Sequence, residues 1–550
     1  MDPTVADVLA KALYAYGIRD AYGIHGANSE DLFAAVLREP PEARLRLTIA
    51  KHEFGAGAMA DGTARMTGRP ACLIATSGGA AMNCVPALAE SYQSRVPVLA
   101  LVGSAPTASE GRGGFQDMCA HPRTVDALAV YRGITGYAAK VSSPEHLWPA
   151  LDGALDALER GHPAVLLLPK DVQTAPAAPS DRHRIPSPPA PAPEPSAAVR
   201  SALATASRPL IVLGEAASRA GLANPAGALA RATGAVFALG PNGRDALPAG
   251  AHFVGVSGPM GHPSVPRAAA EADLILALGT DLDIMDRAGL EPALDAVRTV
   301  HIAAEPPLYP VGLHEPTADL AGYVAALAAG LSGRRPRAPW TTAPPEPIEP
   351  PRSGNDRITC TDAVLALSGA IPADALVFAD AGNAGAAVVH RMPPHTGSRF
   401  LVALGMGGMG YGIAAGVGAA IAGGRRTVII AGDGAFYMHG MEIHTAVESG
   451  APVLLVVLNN DAHGMCVARE DRFFAGLPSL NTFRHTRIGD GLAAMFPSLR
   501  VVTADTVADT RAAGADLLRA AGPSALVVNT DPLEVPPFAA ILPDTAKEPR

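Results

Sequence analysis

RTVIIAGDGAFYMHGMEIHTAVESGAPVLLVVLNND, residues 426–461, decides the fold. Two short apolar runs rich in β-branched residues, TVIIA and VLLVVL, flank a segment long enough for a helix. That pattern predicts strand, helix and parallel strand. The first run empties into Gly432-Asp433-Gly434, with the helix expected to begin near Phe436. The second ends in Asn459-Asn460. In a parallel sheet both ends fall on the carboxyl edge, where loops meet helix starts and ligands bind.

The same alternation recurs along the whole chain. ACLIATSG, VPVLALVG and PAVLLLP stand in the first third, PLIVLG, GAVFALG and ADLILALGT in the middle, and ALVFADAG and SALVVNTDP in the last. Ala/Leu-rich helical stretches separate them, so each third is expected to be an α/β, doubly wound parallel sheet. Two proline-rich stretches without apolar periodicity, 175–196 and 333–354, divide the thirds and should run extended over the surface. The expected domains are therefore 1–175, 196–333 and 355–545.

Composition narrows the function classes. The chain has 550 residues, 48% of them hydrophobic, and a formal charge of −9. That is ample for several cores and offers no basic field for nucleic acid or anionic lipid, so small molecules are the expected partners. No apolar run reaches the roughly 18 residues of a membrane span. Five scattered cysteines form no CxxC pair, which speaks against a zinc knuckle or a disulfide framework and for reduced thiols. The N-terminus lacks a basic region followed by an apolar core, so a cytoplasmic location is expected.

Gly432 and Gly434 allow a backbone to approach a phosphate and aim N–H groups at it, and a following helix start favours negative charge. A bare Asp433 would repel the same anion. The conflict resolves if Asp433 binds a divalent cation that bridges it to a diphosphate, since Mg²⁺ takes one or two protein oxygens plus phosphate oxygens. Adjacent parallel strands lie about 4.8 Å apart, so Asn460 at the neighbouring tip can share that ion. Taken singly, Gly-Asp-Gly is equally a tight turn and Asn-Asn equally a loop start.

Together, a strand-end GDG and an NN separated by 24 residues resemble the metal–diphosphate motif of thiamin-diphosphate enzymes, and nearly the full chain resembles their acetolactate synthase-like branch. The resemblance implies thiamin diphosphate and Mg²⁺ as cofactors. Asp433, the Asn460 side chain and the Ala462 carbonyl would hold the metal, with Gly432, Gly434 and Ala435 at the diphosphate. KHEFGAGAMADGTARMTGRPACLIATSGGAAMN is similar to the family's aminopyrimidine-binding pattern and places its glutamate at Glu53. A carboxylate on the pyrimidine N1′ stabilises the imine tautomer that takes the thiazolium C2 proton, which is general acid–base work. From position alone Glu53 reads equally as an acid favoured at a helix start.

LGMGGMGYGIAAGVGAA resembles the stretch that carries a large apolar wedge against the cofactor, placing the wedge at Met409; the plain alternative is core filler. ADAGNAGA resembles the diphosphate loop, with Gly382 and Asn383 as contacts, although Ala384-Gly385 replaces the usual His-Gln. His463 and Gly464 fall where the family holds terminal phosphate oxygens, His463 being otherwise a solvated loop residue. The middle third of the family sometimes carries a flavin. LGEAASRAG and LGTDLDIMDRAG resemble that region weakly, so FAD is the lesser expectation.

Three departures bear on substrate. His25 in GIHGAN stands where acetolactate synthases have proline and resembles benzaldehyde lyase; it could move a carbinol proton or simply be a hydrogen-bonded turn residue. Phe115-Gln116 keeps the synthase pair, with Gln116 expected at the intermediate's oxygen. Arg469 replaces a tryptophan that selects small keto acids, and its fork suits an anionic acceptor or a salt bridge within AREDR. The expectation is a carboligase that decarboxylates a 2-keto acid, pyruvate first, and passes the acyl unit to an aldehyde, ketone or keto acid. The alternatives are a simple decarboxylase or acyloin lyase and, further off, a catalytically silent cofactor-binding subunit. The resemblance also implies a homodimer or homotetramer with Glu53 reaching a site on another subunit.

Overall fold

The computed structural model describes all residues except 1, 121, 178–183, 187–190, 332–336, 350–353, 355, 395–398 and 538–550. It contains three six-stranded, all-parallel sheets flanked by helices. Strands of the first lie between Asp20 and Pro169, of the second between Pro209 and Pro316, and of the third between Leu376 and Asn529. Counting strands along the chain within each sheet, the first and third share the order 2-1-3-4-6-5, while the second runs 6-5-4-1-2-3. Central strands such as Ala71–Ala75, Leu274–Leu278 and Val453–Asn459 are buried at every residue, as sheets covered on both faces require.

Several edge strands escape the sequence reading. Tyr137–Lys140, Leu313–Pro316 and Arg500–Ala504 are short and carry polar or half-exposed residues, so they lack the apolar run that marks their neighbours, while Arg399–Val402 is only four residues long and opens on a half-exposed arginine. The described parts of the two proline-rich stretches hold neither helix nor strand. The second crosses from the middle sheet, where the Trp340 indole donates to the Pro209 carbonyl (2.9 Å), to the last, where the Ile348 amide donates to His390 (2.7 Å).

Five helices position the site: α1 (Glu53–Thr67), α2 (Asn383–Arg391), α3 (Tyr411–Gly423), α4 (Asp433–His439) and α5 (Gly464–Phe473). The first and third sheets share one continuous core, and α1 packs on α3 through its middle. Small residues let the two backbones nearly touch. A Cβ added at Gly62 would stand 2.4 Å from the Ala415 carbonyl oxygen, and one at Gly418 would stand 2.5 Å from that of Met59.

A buried ionic cluster ties all three sheets at the far end of α1. Arg65 reaches Asp61 (2.7 Å), Glu90 (3.1 Å) and Glu215 of the middle third (3.0 Å). Glu90 in turn accepts from the amides of Gly405 (3.2 Å) and Met406 (2.5 Å), and Asn242 bonds both Glu215 and the Val402 backbone. Several acceptors and donors converge on each charge, which is the condition under which buried ions are tolerated.

Candidate active site

The strands Thr427–Gly432 and Val453–Asn459 are hydrogen-bonded neighbours in register from Thr427↔Val453 to Gly432↔Leu458. Their tips therefore arrive side by side at the carboxyl edge of the third sheet. A cavity of about 220 Å³ opens there. Gly432, Asp433, Gly434 and Ala435 form one wall, and Asn460, Ala462, His463 and Gly464 another. Gly382, Asn383 and Met409 close it from the neighbouring loops.

The helix after Gly-Asp-Gly begins at Asp433 with Gly432 as its cap, three residues earlier than the sequence suggests. Glycines are weak helix formers, but here tertiary packing holds Gly434 in the first turn. A Cβ on Gly434 would meet the His463 ring at 2.5 Å and the Met409 methyl at 3.1 Å, and one on Gly464 would stand 2.6 Å from the Asn460 amide nitrogen. The cradle is shaped by missing side chains, which is what close approach of a diphosphate requires. α2 and α5 also start on the cavity wall, at Gly382–Asn383 and His463–Gly464, and bring N-terminal N–H groups to it. At the opposite end of α2 the buried Arg244 guanidinium donates to the carbonyls of Val388, Val389 and Met392, a cation at a helix C-terminus that fixes the helix axis.

Asp433 is 1% exposed. Its Oδ1 accepts from the Gly434 amide (3.0 Å), whereas its Oδ2 is buried and makes no hydrogen bond within 3.5 Å among the described residues. Burial raises its pKa to about 7, with the Asp461 charge adding to the rise and the Gly434 amide opposing it. A buried carboxylate oxygen left over on the same cavity as the Asn460 side chain, whose Oδ1 accepts from the Ala462 amide (3.3 Å), supplies oxygen donors of the kind a hard cation takes. Among the described residues no cluster of three or more His, Cys, Asp or Glu side chains competes with it as a metal site. The Asn383 Oδ1 on the same cavity is likewise unpartnered. These groups fit a magnesium diphosphate.

The candidates of the first third gather elsewhere, on the carboxyl edge of the first sheet. Glu53 opens α1, is 9% exposed, and accepts from the Asn83 side chain (2.9 Å). Gln116 holds a positive φ of 59° and accepts from Ser77 (2.8 Å), which accepts in turn from Asn28 (2.7 Å). His25 is exposed beside the Phe33 ring, and Phe115 is 83% exposed. None of Glu53, His25, Phe115 or Gln116 lines the cavity of its own chain. Asn83, Ser77 and Asn28 went unassigned in the sequence, although Ser77 and Asn83 sit inside the TSGGAAMN pattern.

His463 caps α5 with its ring edge-on to Phe483 at 4.8 Å, so it is a wall of the cavity rather than a solvated loop residue. Arg469 is exposed on α5, its guanidinium 5.3 Å from the centre of the Phe473 ring. Among the described residues it makes no ion pair. Glu470 binds Ser479 and Asn481 instead.

Beside the middle sheet lies a cavity of about 370 Å³ lined by Ser257, Gly258, His262, Ala288 and Gly289. A smaller cavity of about 80 Å³ at the sheet's strand ends faces Glu215, Asp281, Asp283 and Asp286, and the two arginines beside it already pair with Asp281 and Glu215. Carboxylates at those positions oppose a dinucleotide's diphosphate.

Comparison with known proteins agrees with this geometry. The family model "Thiamine pyrophosphate enzyme, N-terminal TPP binding domain" matches residues 3–124, the central-domain model 196–309, and the C-terminal TPP binding domain 380–528. Among curated proteins the chain is 29% identical to a probable 2-ketoarginine decarboxylase of Pseudomonas aeruginosa, over 84% of this chain and 83% of that one. It is 27% identical to the acetolactate synthase isozyme 1 large subunit of Escherichia coli, over 98% and 96%. It is 28% identical to a sulfoacetaldehyde acetyltransferase of Rhodobacter capsulatus, over 83% and 82%. No helix among the described residues is long and apolar enough to cross a membrane, and all five cysteines are free.

Proposed function

The chain belongs to the thiamine pyrophosphate enzymes, in their acetolactate synthase-like branch, and from that premise we propose that it is a carboligase. In this reading it decarboxylates a 2-keto acid, pyruvate first, and passes the acyl unit to an acceptor bearing an anionic group. The observation that carries the reading is the orphaned Asp433 Oδ2 in a glycine-shaped cavity beside Asn460 and Ala462. Those three groups would hold Mg²⁺, while Gly382, Asn383, Gly432, Gly434, Ala435, His463 and Gly464 would hold the diphosphate.

Bound there, thiamin diphosphate would supply a nucleophilic carbon and an electron sink for decarboxylation of a keto acid. The chain's own residues supply the rest. Met409 would press on the cofactor from the cavity wall, and Glu53 would hold a proton at the pyrimidine N1′. Gln116, fixed by the Ser77–Asn28 chain, would donate to a developing oxyanion, and His25 would move a proton at the substrate oxygen. Because Glu53 lies off its own chain's cavity, these roles require a second copy, giving a homodimer or a pair of them. Exposed Tyr437, Met438 and Met441 beside α4 supply apolar area for such contact.

Arg469 supports the choice of acceptor. A guanidinium on the helix that starts at the cavity, without an ion pair among the described residues, would repel the guanidino group of a 2-ketoarginine and attract a carboxylate, sulfonate or phosphate. The carboxylates around the smaller cavity of the middle sheet oppose a flavin dinucleotide at that place. Mass spectrometry of products tests the reading: pyruvate alone, and pyruvate with aldehydes, keto acids and phosphorylated sugars. A ligated anionic product is expected. Acetaldehyde alone would favour the decarboxylase, and unchanged turnover in Glu53→Gln would overturn the enzymatic roles assigned above.

A further inference from the structure

Glu442 is 1% exposed and stands nine residues beyond Asp433, just after α4. Its carboxylate turns away from the cavity and into the start of α1. Oε1 accepts from the amides of Lys51 (3.0 Å) and His52 (3.1 Å), while Oε2 is within reach of the same Lys51 amide (3.2 Å) and accepts from the Thr445 hydroxyl (2.9 Å). Glu53 is the next residue in the chain. The first N–H groups of a helix have no partner within it, and here two flanking amides are met by a side chain from the other end of the molecule. His52 completes the cap by accepting from the Phe54 amide (3.1 Å).

The approach is close enough to dictate sequence on α1. A Cβ on Gly55 would lie 2.1 Å from Glu442 Oε1, so only glycine leaves room for the carboxylate. Phe54 adds a second tie by stacking on His439 of α4, ring centres 4.3 Å apart. The run that carries Asp433 thus also grips the two residues before Glu53.

We infer that Glu442 is a positioning residue for Glu53: by accepting the Lys51 and His52 amides it sets the height and direction of the first turn of α1, and so the place of the activating carboxylate. The inference rests on the reading of Glu53 given above. It requires no contact between Glu442 and cofactor or substrate. A glutamine at 442 can keep both amides on its carbonyl only by setting its NH₂ group 3.2 Å from the Lys51 N–H, where Oε2 now stands, and it removes the carboxylate's charge, whereas alanine at 55 displaces an unaltered Glu442.

The test uses full-length protein and needs no knowledge of the substrate. Thiamin diphosphate and Mg²⁺ are added, D₂O exchange at the cofactor's C2 is followed by acid quench and NMR, and cofactor affinity is titrated separately. Glu442→Gln and Gly55→Ala should each slow C2 exchange about tenfold to hundredfold, the scale of a misplaced catalytic group. Cofactor Kd should stay within about threefold, because uniform binding is untouched. Without cofactor, hydrogen exchange at the Lys51 and His52 amides should speed up in Glu442→Gln. In a Glu53→Gln background, Glu442→Gln should add nothing further, whereas a merely structural role would multiply. Wild-type C2 exchange in Glu442→Gln or Gly55→Ala, or full multiplication on Glu53→Gln, overturns the inference. Wild-type exchange in Glu53→Gln overturns the reading beneath it as well. Should Glu442→Gln fail to fold, Gly55→Ala decides, since alanine is itself favourable in a helix.

Discussion

Replacing Gly62 with alanine sets two physical rules against each other. In a free helix the change is stabilising, by up to about 1 kcal/mol. In this protein the new Cβ would stand 2.4 Å from the Ala415 carbonyl oxygen and 2.8 Å from the Ala415 Cα and carbonyl carbon. Reaching a contact of 3.0 Å needs a separation of about 0.6 Å, and ordinary contact at 3.4 Å about 1 Å, the limits below which real Cβ contacts are rare. Neither partner is a flexible side-chain end. Both belong to helix backbones locked into one core, so the upper end of the overpacking range, about 3 kcal/mol, applies. After the propensity gain, a net loss of about 2 kcal/mol remains.

At an m-value of about 2 kcal/mol/M, that loss lowers the urea midpoint of the unit built on the first and third sheets by about 1 M. Gly369→Ala is the control, because a Cβ there meets nothing within 4 Å and the backbone φ is −71°. It should stay within about 0.5 kcal/mol of the parent. Activity gives a second readout. Glu53 lies about 13 Å up the same helix, and a helix that shifts as a rod carries Glu53 with it. A misplacement near 1 Å costs about a hundredfold in turnover. A Gly62→Ala protein as stable as the parent, or more so, would refute the claim that the two backbones touch.

Asp433→Asn should abolish the rise in melting temperature that thiamin diphosphate and Mg²⁺ give the parent, a linkage effect of about 2.7 kcal/mol at a hundredfold excess over Kd; differential scanning fluorimetry reads it. Arg469→Gln should raise KM for an anionic acceptor about tenfold and leave a neutral aldehyde unaffected, as expected for loss of one charge-assisted contact at an exposed site. Burial, aided by the neighbouring His390 and Arg244, lowers the pKa of His262 to about 3. Its folded-state pKa lies below the unfolded value near 6.5, so its contribution is complete above about pH 6.5 and is lost as pH falls toward 3. At pH 5 the loss is roughly 2 kcal/mol, and His262→Asn should flatten that part of the stability–pH curve measured by urea unfolding.

The α/β class, the three-part order and the cavity wall were legible because each rests on local pattern: apolar runs for central strands, glycines and an acid at strand ends. Gly432, Asp433, Gly434 and Asn460 could be joined on paper because neighbouring parallel strands deliver their tips together. What stayed hidden was set by distance in sequence. Nothing local in MEIH announces that Glu442 caps a helix almost 400 residues away, and nothing in DGTARM shows that Arg65 is buried among three carboxylates from two domains. The start of α4 was missed for a related reason, since glycine's weak propensity was outweighed by packing that only the fold supplies. The sequence leaves Arg469 between a salt bridge and an open cation, and the fold adds only that Glu470 binds Ser479 and Asn481 while Arg469 lies by the Phe473 ring.

The clamping of α1 bears on which cavity Glu53 can serve. Its start is gripped by Glu442, its middle lies backbone to backbone on α3, and its end is bound through Arg65 to Asp61, Glu90 and Glu215. Glu53 cannot swing toward its own chain's cavity without breaking these contacts, and it does not line that cavity. If it activates a cofactor, the cofactor sits on another copy. Mixing two inactive proteins, Glu53→Gln and Asp433→Asn, after dissociation and reassociation tests this. In a hybrid dimer one site combines the intact Asp433 of the first with the intact Glu53 of the second, and the other site is doubly broken. Random mixing makes half the dimers hybrid, each with one good site, so about a quarter of parental activity should return. If Glu53 served its own chain, every site would carry one lesion and the mixture would stay inactive.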